Sequence, residues 1–302
     1  MNRFKWGGVK EKKDYYADET VRRMIYTHRN LIANLAQTMY DNREPDIKVM
    51  NVLEKWYKEF PNGIIAYDAL RDNSITIANV YRMLYLKQHY DKEDGLEPQL
   101  TEEQKKILEE RIFEIAGAIV KEQFEYIKWY NTMGARHRSD MMTYARASLL
   151  REAWMIIGNA PVGDIDSDKI ANEIAKSIYK ECDVLKRSDA SVLENTKHID
   201  TKLQLINNLN AFLREIAKSE ELDKAIATTI EHLAKFEERK LKRYNVNRLS
   251  DSQKQEILSV LRLIATMGEM SNRLGENNEN TKILVNKLYS SSVEKYASHV
   301  ID

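Results

Sequence analysis

Cysteine occurs once, at Cys182, so no internal disulfide can form and a reducing compartment is the default expectation. Proline occurs four times in 302 residues, at Pro45, Pro61, Pro98 and Pro161, all in the first part of the chain. Between Gly163 and Gly268 there is neither glycine nor proline. Backbone free of both breakers is expected to be helical. One helix of that length would extend for about 150 Å at 1.5 Å per residue, so the stretch must fold back on itself through turns made of polar residues. No run of about twenty apolar residues exists, which excludes a helix spanning a bilayer. Net charge is also missing, Lys+Arg and Asp+Glu each totalling 47. No overall field then steers the protein towards nucleic acid, an anionic membrane or an acidic substrate. Period-2 alternation bounded by hairpin turns is lacking, so no sheet is expected. No repeat of fixed period points to a solenoid.

What is present reads as a globular all-α protein: 43% of residues are hydrophobic and 31% charged. Of its 26 aromatic residues 20 precede residue 155, so the composition changes near Pro161-Val162-Gly163. Three segments are expected. Residues 1–16 form a flexible basic arm, with Arg3, Lys5, Lys10, Lys12 and Lys13 around Gly7-Gly8 and no apolar core of a secretory signal. Residues 17–160 form a compact, aromatic-rich helical domain. Residues 164–302 form a bundle of long antiparallel helices.

Periodicity and caps place the helices. Asp18 caps a helix over 19–41 with apolar positions Val21, Met24, Ile25, Leu31, Ile32, Leu35 and Met39. Helices follow over 47–60 and 75–90, with a short one at 64–70 between them. Thr101 to Gln104 is a capping box opening a helix to Met133, and another helix spans 138–157 with Met141, Met142, Tyr144, Leu149 and Trp154 on its apolar side. In the second half, the Asp164–Asp168 region caps a helix through Ile170, Ile174, Ile178 and Leu185. Ser191 to Glu194 reads as a box opening a helix with two seams: Ile199, Leu203, Ile206, Leu213 and Leu205, Leu209, Phe212, Ile216. Such a wide face suits a bundle of three or more helices. Ser219 caps the next helix, Ser250 to Gln253 boxes another that ends at a C′ glycine, Gly275, and the last covers 281–297.

Catalytic signatures fail on inspection. The glycine spacings of phosphate loops and nucleophile elbows are absent. The six histidines lack the Glu-x-x-His pairing of di-iron bundles, and Asp164-x-Asp166-x-Asp168 opens like a calcium loop but has Lys169 and Ala175 where glycine and glutamate belong. No metal, no cofactor and no catalytic residue is assigned. Arg23 to His28, and Arg82 to His89 on a later helix, are similar in spacing to the R-x4-6-H pair of all-helical HEPN-type ribonucleases. In those enzymes arginine stabilises phosphate and histidine moves a proton. The polar residue such motifs place after the arginine is here Met24 or Met83.

Two basic patches carry the nucleic-acid alternative. Lys128, Arg136, Arg138, Arg146 and Arg151 interleave with Trp129, Tyr130 and Tyr144, and Arg239, Lys240, Lys242 and Arg243 end a long helix beside Tyr244. Lysines there would neutralise phosphates while aromatics stack on bases. The leading expectation is a non-enzymatic structural or assembly protein. Its helices would support a homo-oligomer or docking into a larger complex, in the cytoplasm or in a particle assembled inside the cell. The Lys-, Asn-, Ile- and Tyr-rich composition suits a prokaryotic or phage particle component. A nucleic-acid-binding helical module ranks second and a HEPN-like ribonuclease third.

Overall fold

The computed structural model describes residues 18–63, 65–93, 99–134, 139–188 and 190–300. The expected basic arm, and Arg136 and Arg138 of the first patch, lie outside the described residues. Among those described the protein is all-α, with no strand; an isolated antiparallel bridge joins Val162 and Ile165 around Gly163, whose φ is +64°. None of the described helices is long and apolar enough to cross a membrane. The described residues form two compact units: those up to Tyr126 with Ser148–Asp166, and those of Ile127–Ala147 with those from Ser167 onward. Two helices, described below as α4 and α5, contribute residues to both.

In the first unit, α1 (Glu19–Asp41) packs on α2 (Asp46–Glu59) and α3 (Ser74–Glu93). Asp18 caps α1 as expected, its carboxylate accepting from the Val21 amide at 2.8 Å. The face that α1 buries is only in part the expected one. Ile25, Arg29, Ala33 and Ala36 point inward, whereas Met24, Leu31 and Leu35 are exposed. Small alanines let the helix approach its neighbours closely, and Arg29 fills the space beside them with its stem.

The expected short helix at 64–70 does not form over the described residues 65–70. Its carbonyls are taken by Arg29 instead. The two terminal nitrogens of Arg29 donate to the carbonyls of Phe60 (3.1 Å), Ile65 (2.6 Å) and Ala66 (3.1 Å), and to Asp72 Oδ2 at 2.9 Å. Its guanidinium stacks on the Tyr67 ring at 4.9 Å. Asp72 further accepts from the amides of Asp68 and Ser74. Burial works to raise the Asp72 carboxyl, and Arg29 with these amides opposes it.

Next come α4 (Glu102–Thr132), opened by the Thr101–Gln104 box, and α5 (Asp140–Ile156). Met141, Met142 and Tyr144, expected to face inward, are exposed; Trp154 is buried as expected, together with Thr143, Ala147, Leu150 and Ala153.

The second unit contains α6 (Ser167–Arg187), the single-turn α7 (Ala190–Leu193), α8 (Thr196–Ile216), α9 (Glu220–Leu241), α10 (Asp251–Asn272) and α11 (Glu279–Val300). Residues Ile170, Ile174, Ile178 and Leu185 of α6 meet the wide face of α8. Both α8 seams are buried down to Leu213, with Asn210 between them, because α6 packs on one side and α10 on the other. Thus the width of the α8 face is consumed within the unit. Asn195, not Ser191, caps α8 by accepting from the His198 amide at 3.1 Å. At the end of α10, Gly275 is not a left-handed C′ residue; its amide donates to Asp223 Oδ2 at 3.1 Å.

Candidate functional site

Arg23 and His28 lie on the solvent side of α1. Arg23 Nε donates to Glu19 Oε1 at 3.0 Å, and His28 Nδ1 lies 2.7 Å from the Met24 carbonyl. Together with Glu19, Thr20, Met24 and Thr27 they line a groove of 410 Å³. Neither Arg82 nor His89 lines it, and His89 Nε2 lies 3.3 Å from Glu93 on its own helix. This groove therefore does not bring the two Arg–His pairs together.

Of the first basic patch, Lys128 and Arg146 belong to the second unit and Arg151 to the first. Lys128 and the neighbouring Trp129 are exposed, and Arg146 is half-buried with its Nε sealed from solvent.

Among the second patch, carboxylates have been built in beside the cations. Lys240 is only 1% exposed, its Nζ donating to the Glu194 carbonyl (2.9 Å) and Thr196 Oγ1 (3.0 Å) and pairing with Glu256 at 3.0 Å. Arg243 pairs with Glu194 at 2.7 Å and Lys242 with Glu238 at 2.7 Å, while Arg239 gives its Nε to the Lys235 carbonyl. One helical turn before Lys240, Glu237 is fully buried, and among the described residues no donor reaches either of its oxygens. Burial pushes its carboxyl up to about 7; Lys240 opposes this, and Glu194 and Glu256 reinforce it. Burial also works to raise Glu256, yet hydrogen bonds from Tyr244 and Lys240 hold it below the ordinary carboxylate value.

A second buried cation, Lys202 on α8, donates to Glu181 Oε2 at 2.6 Å and pairs with Asp140 at 3.1 Å, and the Tyr130 hydroxyl donates to the other Glu181 oxygen at 2.7 Å. In the first unit, Arg111 stacks on Tyr57 at 3.6 Å and pairs with Glu54 and Glu114 at 3.4 Å. Tyr57 donates to Glu114, and burial with that bond raises its phenol to about 12. In the Lys202 network the buried lysine faces two carboxylates, whereas the Arg111 network is partly open to solvent and Glu237 is left without a donor. Sequence periodicity gave no sign of them, since a lysine or arginine is by default a surface residue. Among the described residues no three His, Cys, Asp or Glu side chains are grouped to hold a metal ion.

What remains open on α1 is an apolar stripe. Met24 (47% exposed), Leu31 (60%) and Leu35 (36%) stand at i, i+7 and i+11, with His28 and Thr38 completing a 4-3-4-3 spacing. That spacing is the seam of a helix that packs against another helix. Leu31 also lines a 640 Å³ groove with Tyr26, Asn30 and Arg71, which shares Glu19, Arg23 and Thr27 with the groove that Met24 lines. The stripe is thus bordered by adjoining grooves rimmed by polar and charged groups.

No protein-family model matches the chain, and no curated protein sequence matches it. A solved structure described as "Computational Design of Self-Assembling Cyclic Protein Homooligomers" aligns over 94% of this chain and 98% of its own at 14% identity, with a TM-score of 0.20. A likeness at that level carries no argument about fold or function.

Proposed function

We propose that this protein is a non-enzymatic assembly protein that self-associates or docks onto a larger complex through the outer face of α1. The observation that carries the reading is that α1 turns Arg29, Ala33 and Ala36 inward while leaving Met24, Leu31 and Leu35 in solvent. Large aliphatic side chains left in solvent at seam spacing mark an interaction surface, whereas the burial of Arg29 is accounted for by its own partners within the chain. The wide α8 face, which the sequence offers as association surface, does not support the reading, because α6 and α10 cover it.

Nucleic-acid binding is less well supported. In the second patch Lys240 is buried and Arg243 and Lys242 already face glutamates, so phosphates would have to displace intramolecular carboxylates. Mass photometry across dilution tests the assembly reading. Species larger than the 35.3 kDa chain, or a stable complex with a defined partner, are expected. A strict monomer that forms no such complex rejects it.

A further inference from the structure

The second unit contains a carboxylate that the proposed assembly face does not use. Glu237 sits in the last turns of α9 and is fully buried. Around it stand Lys240 on its own helix, Glu194 from the segment leading into α8, and Glu256 from α10. Helix α11 brings Tyr296 to this end of α9, but its hydroxyl is committed to the Leu241 carbonyl. On the α6 side, Cys182 shares a hydrogen bond with Thr229, two turns earlier on α9.

An ammonium has three N–H donors. Those of Lys240 are directed at the Glu194 carbonyl, Thr196 Oγ1 and Glu256, at 2.9, 3.0 and 3.0 Å. Arg243 is engaged by Glu194. The Tyr244 hydroxyl is hydrogen-bonded to Glu256. No donor is left for Glu237, and the two nearby glutamates repel a third negative charge. A buried carboxylate that receives no hydrogen bond, and whose neighbouring cation Lys240 is committed to other acceptors, is the case in which the neutral acid wins.

We infer that Glu237 keeps its proton in the folded protein, and that losing it as the medium turns alkaline loosens the joint where α9 meets α8 and α10, making this end of the bundle a pH-sensitive latch. The deprotonated carboxylate can be stabilised only by drawing Lys240 away from Glu194 and Thr196 or by admitting water. Either change opens the start of α8. The sign follows from linkage: a carboxyl whose folded-state value lies near 7 against an ordinary 4.5 makes the folded protein bind more protons than the unfolded one. Its contribution to stability is complete below the ordinary value, declines as pH rises between the two, and is gone above the folded value.

The test compares the unmodified chain with Glu237→Gln in urea titrations from about pH 4.5 to about pH 8. The comparison cancels every other titrating group. Across that range the unfolding constant of the unmodified protein should rise by roughly a hundredfold relative to the variant. Amides at the start of α8 should lose exchange protection at alkaline pH in the unmodified protein alone. Carbon-13 titration of the Glu237 carboxyl in the folded protein should show a midpoint near neutrality, which decides the matter even where the glutamine variant fails to fold. A pH-independent stability gap, or a carboxyl titrating at the ordinary value, overturns the inference.

Discussion

Arg29 is the residue on which the loop between α2 and α3 depends. Its two terminal nitrogens reach three backbone carbonyls and Asp72, and its own carbonyl accepts from Trp56 Nε1 at 3.1 Å. Replacing it with methionine keeps the apolar stem but leaves a buried carboxylate without its partner and three carbonyls without donors. Truncating one member of such a pair costs about 3–5 kcal/mol. Urea denaturation of Arg29→Met should show a loss of that order, and adding Asp72→Asn should restore part of it, since the uncompensated charge is then gone. Equal, additive losses would mean that the ion pair is incidental. None of this was legible beforehand. Arg29 lies one turn from Ile25 and from Ala33, on a stripe whose inward orientation is evident only once α2 and α3 are in place. Arg23, six residues earlier and of the same chemistry, is exposed. Lys202, among the aliphatic neighbours of α8, and Lys240, within a run of charged residues at the end of α9, went unseen because the groups that bury them come from other helices.

At the scale of elements the sequence was far more readable, because capping and breaking are local. The Ser250–Gln253 box has both of its reciprocal bonds, and Asp18 and Ser219 cap the helices expected of them. Helix ends failed where a distant group intervened, as with Arg29 over 65–70 and Asp223 at Gly275. The same locality makes glycine substitutions predictable. Gly268 lies inside α10, and a methyl there would meet Val285 Cγ1 at 3.8 Å, an ordinary contact. Gly268→Ala should therefore raise stability by about 0.5–1 kcal/mol through helix propensity and a less flexible unfolded chain. Gly163, at φ +64° in the turn closed by Val162 and Ile165, should respond in the opposite sense, because alanine is strained there. Thermal denaturation of the two variants checks both signs, and stabilisation by Gly163→Ala would contradict the turn geometry described.

For the whole molecule, the question is where the apolar surface not needed for folding lies. The second unit uses its widest seams internally, so the rule that a broad aliphatic face implies company does not apply to α8. Part of that surplus is on α1, where composition alone could not place it: Met24, Leu31 and Leu35 belong to the same apolar set as the buried Ile25, and only the choice of Ala33 and Ala36 as the inner face puts them outside. This separates assembly from folding in an experiment. Leu31 is 60% exposed, so Leu31→Glu should change the stability of the isolated chain by no more than about 0.5 kcal/mol. If α1 is the association surface, a charge at the centre of its seam, desolvated on contact, should weaken association by tenfold or more, about 1.4 kcal/mol or greater. Mass photometry read beside a urea titration distinguishes the outcomes. Lost assembly with unchanged unfolding assigns the contact to α1. Unchanged assembly with unchanged unfolding removes α1 from the interface, and a large loss of stability would show that the stripe is covered within the chain itself.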